Sequence, residues 1–272
     1  IKGTIEQMMV LVMFAKRVNI PFEVFLFSDS YHSELMKANG SGRYASESWT
    51  HKDDGKEGDL VIDKHHLLNV FSSRMRANEL HTAYINMTAI AGAYDRTYGN
   101  YYSRSSYRTI PSKLSLGGTP LNASLLAINT FIPEFKAKNG VQIVNLIYLT
   151  DGESAGGHSV WKRRDDQDTE RFGSKNHVLL RDTVTKKEYE ISESYYLKFS
   201  RGSTTNALVE ALRDKHSCNV VNFYIIDRFK HYDASEFSTA DIPPQVILSK
   251  FRKEGHIIAE NYGGWSELYL IK

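Results

Sequence analysis

The sequence contains one cysteine, Cys218, which excludes an internal disulfide framework and fits a reducing compartment. No apolar run reaches the roughly 18 residues that a membrane span needs. The formal net charge is only +2, far from the basic excess that is typical of a dedicated nucleic-acid binder. We therefore expect a cytoplasmic protein that does not cross a membrane.

Motifs for nucleotide binding and for zinc are also missing. No GxGxxG or GxxxxGKS/T sequence follows an apolar run, which disfavours phosphate chemistry. The ten histidines show no HExxH or Cys-His spacing, and the adjacent pair His65 and His66 cannot both face one site on a helix. Cys218 has no histidine or asparagine pattern nearby, so we predict a buried structural thiol. The acidic cluster from Asp165 to Glu170 follows three basic residues, which is typical of a solvated loop.

Apolar strands alternate with amphipathic helices along most of the 272 residues. Strands that are apolar on both faces and separated by such helices indicate a mostly parallel sheet with helices on both sides. We therefore predict one doubly wound α/β domain over 1–272, with insertions at about 30–115 and 152–200. The predicted strands are 22–29, 59–63, 141–150, 219–227, 256–261 and 266–272, with a hairpin over 177–192, and the predicted helices are 4–20, 65–75, 78–94, 120–139, 204–217 and 242–254.

One of these strands delivers a carboxylate at its tip. The run "VQIVNLIYLTDGES" is almost wholly apolar until it ends on Thr150, Asp151 and Gly152. Ligands of open α/β sheets bind at the carboxyl ends of the strands, so Asp151 is a candidate site residue. An Asp-Gly pair also makes a good turn, and by itself Asp151 fits that interpretation as well.

A threonine precedes this strand by one helix. In "LGGTPLNASL", Thr119 follows two glycines that allow close approach of the backbone, and Pro120 suits the start of a helix. The order Gly-Gly-Thr-Pro-Leu, helix, apolar strand and Thr-Asp-Gly resembles the second and third loops of a von Willebrand factor A domain. In that family these loops supply a threonine and an aspartate to a metal-ion-dependent adhesion site.

The resemblance implies a fold, a metal and a kind of partner. Thr119 and Asp151 would ligate Mg²⁺, or another divalent cation such as Mn²⁺ or Ca²⁺, because hydroxyl and carboxylate oxygens suit hard cations. An open position on the ion would accept an Asp or Glu of a partner protein. The family's first loop, Asp-x-Ser-x-Ser, does not occur here, and we interpret the nearest run, Asp29 to Ser33, as an ordinary loop. We expect that motif, on a strand parallel to 22–29, to precede Ile1.

Two stretches, "GGTPLNASLLA" and "NVVNFYIID", look most like the intracellular branch of the family. Members of that branch act beside MoxR-type AAA+ ATPases, as cobaltochelatase-type subunits do, and similar proteins occur in large tailed phages. The resemblance implies a non-enzymatic interaction module that serves as the adaptor of an AAA+ ATPase, in the cytoplasm of the host cell if it is phage-encoded. A hydrolase is disfavoured because no positioned nucleophile or base accompanies the strand-tip acids.

Tyrosine and arginine interleave between residues 94 and 108. Tyrosine stacking with arginine-phosphate contacts is how proteins grip single-stranded nucleic acid, and the same residue types are enriched in protein-binding hot spots. Packing of an ordered insertion on its own rings is the third interpretation. RNA binding, as in Ro-type ribonucleoproteins that carry a similar domain, is therefore the alternative function. The candidate partner-binding residues are Tyr98, Tyr101, Tyr102, Arg104, Tyr107 and Arg108.

Overall fold

A computed structural model shows that the chain divides into two compact units, 1–46 with 64–120, and 47–63 with 121–272. The interpretation of 1–272 as a single domain stays a prediction. The residues that the structure describes are 1–28, 58–61, 66–99, 114, 119–150, 159–161, 169–171, 178–191, 203–226, 228–239 and 241–272.

Two helices pack together in the first unit. Helix α1 (Lys2–Arg17) contacts helix α2 (Ala77–Gly99) and buries Ile5, Met8 and Val12. These residues recur every three or four positions, so they share one face of the helix. The prediction of helices over 4–20 and 78–94 is confirmed, although α1 ends earlier and α2 ends later than predicted.

The first unit also contains an antiparallel strand pair. Strand β1 (Glu23–Ser28) pairs with β3 (His66–Ser72), and the described partner of β1 is therefore antiparallel. The prediction of a helix over 65–75 is wrong. Its apolar spacing fits a helix, but pairing with β1 and the complete burial of Phe71, whose ring lies 4.9 Å from that of Tyr84, favour the strand.

A carboxylate fastens this strand pair at one end. Glu23 has a side chain that is only 5% exposed, and it forms an ion pair with Arg74 at 2.8 Å. Its oxygens also accept hydrogen bonds from Asn69 Nδ2 at 2.8 Å and from Ser72 Oγ at 2.9 Å. Since a buried charge is tolerated only when its oxygens are satisfied, this network fixes the beginning of β1 against the end of β3.

The second unit is built on a four-stranded sheet in the order β10 (His256–Glu260), β11 (Glu267–Ile271), β9 (Asn219–Ile225) and β4 (Asn145–Thr150). Strands β4 and β9 are parallel, as are β9 and β11, whereas β10 is antiparallel to β11. The protein is thus mixed α/β with both parallel and antiparallel strand pairs. The prediction of a mostly parallel sheet holds for the pairs β4–β9 and β9–β11 and not for β10–β11. The elements, in chain order, are α3 (Leu121–Asn139), β4 (Asn145–Thr150), α4 (Thr204–His216), β9 (Asn219–Ile225), α5 (His231–Glu236), α6 (Pro244–Glu254), β10 (His256–Glu260) and β11 (Glu267–Ile271).

The core of this unit lies against one face of the sheet. Successive strand residues point to opposite faces, and the even-numbered ones in β4 and β9 are the buried ones, including Tyr148, Val220 and Tyr224. The opposite face is more open, since Ile147 is 46% exposed. Helices α3 and α4 bury their apolar sides in the same core; their buried residues include Leu121, Leu125, Ile128, Leu208, Val209 and Leu212.

Two small antiparallel sheets complete the described part of the chain. The predicted hairpin over 177–192 is confirmed as β7 (Val178–Arg181) and β8 (Glu188–Ile191), which packs on α4 through Tyr189, Ile191 and Ala207. The hydrophilic segment 152–176 contains β5 (Ser159–Trp161) and β6 (Thr169–Arg171), which pair with each other. Strand β5 also pairs with β2 (Leu60–Val61), which lies within the predicted strand 59–63. Within the described ranges, no helix has the length and apolar character to cross a membrane.

Candidate functional site at the C-terminal end of strand β4

Strand β4 carries the candidate acid to one end of the sheet. Its last residue, Thr150, is 4% exposed and stands opposite Tyr224 of β9. Asp151 follows directly in the sequence and lies outside the described residues. The apolar residues of β4 hold the strand in the sheet up to Thr150.

Helix α3 begins at this same end of β4. Ser124 in its first turn has its Oγ 3.4 Å from the hydroxyl of Tyr148, two residues before the strand ends. At the other end of the helix, Lys136 Nζ donates a 2.6 Å hydrogen bond to the carbonyl oxygen of His216, just before β9 begins. Helix α3 therefore runs antiparallel to β4. Thr119, half-buried, is the second residue before the helix starts.

Helix α4 begins beside α3. Its N-cap is Ser203, whose Oγ accepts a hydrogen bond from the backbone N–H of Asn206 at 3.2 Å. Thr204 and Thr205 are residue types that also suit an N-cap, but here they are the first two residues of the helix. Thr205 instead donates its hydroxyl hydrogen to Asn122 Oδ1 at 2.7 Å, which places the first turns of α3 and α4 side by side.

A glycine turn holds α4 from another direction. Gly263 and Gly264 follow β10 and have φ values of +55° and +83°, in the region that favours glycine. A Cβ on Gly263 would come within 2.4 Å of Asn206 Nδ2, and one on Gly264 within 2.7 Å of the Asn206 carbonyl oxygen. The Gly264 carbonyl oxygen also accepts a 2.6 Å hydrogen bond from Arg213. This close packing leaves little freedom for the first turn of α4.

Strand β4 and the first turns of α3 and α4 therefore meet at the C-terminal end of β4. Two of these three elements are helix N-termini. A helix N-terminus carries a partial positive charge of about +0.5. Neither α3 nor α4 has an acidic residue in its first turn to offset that charge. The surroundings thus favour a carboxylate or another anion and disfavour a bare cation.

Tyr148, a described ionisable side chain beside this end of β4, does not supply a base. Burial raises the pKa of Tyr148 well above its usual value, so its hydroxyl stays protonated at neutral pH. Cys218 lies at the opposite end of α4, where burial raises the pKa of its thiol. The prediction of a buried cysteine is confirmed, and a thiol with a raised pKa is a poor nucleophile.

The predicted partner-binding residues fall mainly on the part of the chain that is not described. The backbone of Tyr98 belongs to α2, which continues five residues beyond the predicted helix end at 94. Tyr94, at the edge of the same segment, donates a 2.8 Å hydrogen bond to the carbonyl oxygen of Leu114. The other candidates lie outside the described residues: Tyr101, Tyr102, Arg104, Tyr107 and Arg108.

Of the proposed metal pair, the structure describes Thr119 alone. Among the residues with described positions, no three His, Cys, Asp or Glu side chains form a group that could hold a metal ion. The contact of Thr205 with Asn122 has no signal in the sequence, because these residues are 83 positions apart. The capping role of Ser203 was detectable in principle, since three consecutive hydroxyl residues precede the helical pattern.

No protein family, curated protein or solved structure matches the chain.

Proposed function

We propose that this protein is a non-enzymatic, metal-dependent interaction module of the von Willebrand factor A type, with the doubly wound sheet of that family. In this proposal it binds a partner protein through a divalent cation and serves as the adaptor of a MoxR-type AAA+ ATPase in the cytoplasm. The proposal rests on the sequence resemblance at Thr119 and Asp151 and on the geometry at the end of β4.

The observation that carries the proposal is the meeting of three elements at that end. The first turn of α3 lies beside β4 through Ser124 and Tyr148, and the first turn of α4 lies beside α3 through Thr205 and Asn122. Thr119 precedes α3 and Asp151 follows β4, so chain order leads both residues toward this region. A site built from loops at the carboxyl ends of parallel strands needs this arrangement.

The donor chemistry fits a hard cation. The Thr119 hydroxyl and the Asp151 carboxylate would hold Mg²⁺, and Mn²⁺ or Ca²⁺ would fit the same oxygen donors. When bound, the ion would supply a positive charge for an Asp or Glu of the partner. Because two helix N-termini disfavour an uncompensated cation, binding of the ion depends on the Asp151 charge and is strengthened by the partner's carboxylate.

The described residues near the site support a binding role. Tyr148 is held neutral by burial, and Ser124 Oγ donates to the Leu121 carbonyl oxygen at 2.7 Å within the helix. Neither hydroxyl has a described general base beside it, which a nucleophile would need. The chemistry at this end is therefore recognition of charge.

The test compares Asp151→Ala with Asp241→Ala, a matched control at an exposed position. Mn²⁺ binding is measured from the electron paramagnetic resonance signal of the free ion. Capture of a purified MoxR-type AAA+ ATPase is then measured in Mg²⁺ and in EDTA. We expect both to be lost in Asp151→Ala and kept in Asp241→Ala. Equal Mn²⁺ binding by the two variants would overturn the metal assignment.

The same protein preparations test the alternative function. RNA binding that ignores EDTA and falls steeply with salt would replace the adaptor proposal with nucleic-acid recognition by the segment 94–108. The two outcomes are separable because a metal-bridged contact requires the ion, whereas phosphate contacts by arginine do not.

A further inference from the structure

Strand β10 lies at one edge of the four-stranded sheet in the described part of the chain. Its described partner is β11, and the register of the two strands runs without a bulge. An edge strand presents a row of backbone N–H and C=O groups that can pair with another strand. Natural edge strands are often blocked by proline, lysine or a bulge, and β10, with the sequence His-Ile-Ile-Ala-Glu, has none of these.

The pairing with β11 determines which backbone groups of β10 point to the open edge. At one end of the pair, the Lys272 N–H donates a 2.9 Å hydrogen bond to the Gly255 carbonyl oxygen. At the other end, the Asn261 N–H donates a 3.0 Å hydrogen bond to the Ser266 carbonyl oxygen. Hydrogen-bonded positions alternate along an antiparallel pair, so the odd-numbered residues of β10 bond to β11. The residues whose backbone groups point away from β11 are therefore His256, Ile258 and Glu260.

The side chains of the same three residues are exposed on one face of the sheet. Ile258, in the middle, is 47% exposed and stands opposite Tyr269 of β11. The ring of Tyr269 in turn stacks on that of Phe223 in β9, with 4.6 Å between the ring centroids. An apolar row therefore crosses the sheet and ends in Ile258 at the open edge.

The charges on β10 are complementary to those of a second copy of the strand. Antiparallel pairing about Ile258 would place this residue opposite itself and His256 opposite Glu260 of the second copy. Facing opposite charges stabilise a strand pair, and facing like charges destabilise it. Within one copy, Glu260 stands opposite Glu267 of β11, so a positive group beside Glu260 would relieve the repulsion of two carboxylates.

His256 has the groups to supply that positive charge. Its Nδ1 lies 3.1 Å from the Glu254 carbonyl oxygen of the same chain. When the ring is protonated, both nitrogens are donors, so Nδ1 can bond this carbonyl oxygen while Nε2 donates to the carboxylate of Glu260 in the second copy. Such a charge-assisted bond is stronger than a bond between neutral groups.

We propose that two copies of this chain pair through β10 in an antiparallel, two-fold arrangement that joins their four-stranded sheets. Each pair of facing residues with outward backbone groups exchanges two N–H···O bonds. The two Ile258 side chains meet at the symmetry axis, with a histidine–glutamate pair on each side of them. This contact is at the small end of specific interfaces, so we expect a Kd on the order of 10–100 μM. The pairing is independent of the metal proposed at the end of β4.

The experiment is sedimentation equilibrium of the full chain and its variants over a range of concentrations. Ile258→Pro removes the central outward N–H, which does not bond to β11, and a proline is tolerated at such a position of an edge strand. His256→Glu and Glu260→Lys each remove the complementary pairs, and the double variant restores opposite charges in facing positions. Asp241→Lys is the control for a change of charge at an exposed position in the same unit. Circular dichroism and urea unfolding verify that each variant is folded.

We expect the original protein to show a concentration-dependent equilibrium of monomer and dimer. Ile258→Pro should weaken the dimer at least about tenfold, because both central hydrogen bonds are lost. Each single charge variant should weaken it roughly threefold to thirtyfold, and the double variant should recover to within about threefold of the original protein. Asp241→Lys should leave the dimer unchanged.

Three results would overturn the inference. The first is a monomer mass for the original protein at all concentrations up to about 300 μM, well above the expected Kd. The second is a dimer that Ile258→Pro leaves unchanged, which would show that another surface joins the copies. The third is a folded double variant that dimerises as weakly as the single charge variants, because the facing of His256 and Glu260 would then be excluded.

Discussion

Replacement of Gly264 by alanine tests how tightly the glycine turn holds α4. The backbone there has a φ of +83°, and a Cβ would lie 2.7 Å from the carbonyl oxygen of Asn206 and 3.0 Å from the backbone nitrogen of Glu210. These neighbours are backbone atoms, so the contact cannot be relieved by rotating a side chain. Either the turn or the first turns of α4 must move.

The control is Gly255, which ends helix α6 with a φ of +75° and has no atom within 4 Å of a Cβ built on it. Gly255→Ala therefore carries only the cost of a left-handed backbone, about 1–2 kcal/mol. Gly264→Ala adds the cost of overpacking, typically about 1–3 kcal/mol. We expect Gly264→Ala to lower the free energy of unfolding by about 2–5 kcal/mol in total.

The assay is urea unfolding followed by far-ultraviolet circular dichroism, with both variants extrapolated to zero denaturant. The informative quantity is the difference between the two glycines, since the backbone cost is common to them. A difference of about 1–3 kcal/mol would support the close contact with α4. Equal destabilisation would refute it and would show that the turn can move away from Asn206 freely.

Two further predictions concern polar groups in the same unit. Asn222 is 4% exposed between Tyr148 and Leu268, and its Oδ1 has no hydrogen-bond partner among the described residues. Asn222→Leu should therefore raise the unfolding free energy by about 1–3 kcal/mol in a urea titration. A fall would show that this oxygen is satisfied. The backbone N–H of Thr185 leads the contacts that lower the pKa of Asp182 to about 2, with Lys215 adding to them. A depressed carboxyl pKa stabilises the fold above about pH 4 and loses that effect as the pH falls to about 2. Urea midpoints of the original protein and Asp182→Asn should therefore converge over that range, and a constant gap would contradict the assignment.

Helices and strands with one clear periodicity were predictable from the sequence. The helix 4–20 and the strand 219–227 correspond to α1 and β9 within a few residues, because their burial follows directly from their apolar spacing. The segment 65–75 was not predictable in this way. Its residues Leu67, Leu68 and Phe71 suit one face of a helix as well as a strand, and only pairing with the distant β1 decides between the two.

The sequence predicted which residues to consider for the candidate site. It did not predict the side-chain contacts between the helices that surround it. Thr119 and Asp151 were identified because each stands at the junction of a strand or helix with a distinctive turn sequence. Thr205 and Asn122 carry no such signal, since a hydroxyl and an amide occur at many helix starts. Their relation depends on how α3 and α4 pack in three dimensions, which local sequence does not encode.

Parallel pairing of β4 with β9 has a consequence for how the chain folds and varies. The side-chain amide of Asn219 donates a hydrogen bond to the side-chain oxygen of Asn145, which lies 74 positions earlier in the chain. A long loop must therefore close before the central strands β4 and β9 can pair. The entropy lost in closing a loop grows only logarithmically, by about 0.6 kcal/mol for each doubling of its length. Insertions between these strands therefore cost little equilibrium stability, while the remote pairing slows the folding reaction. We therefore expect residues added between β4 and α4 to slow folding more than they lower stability.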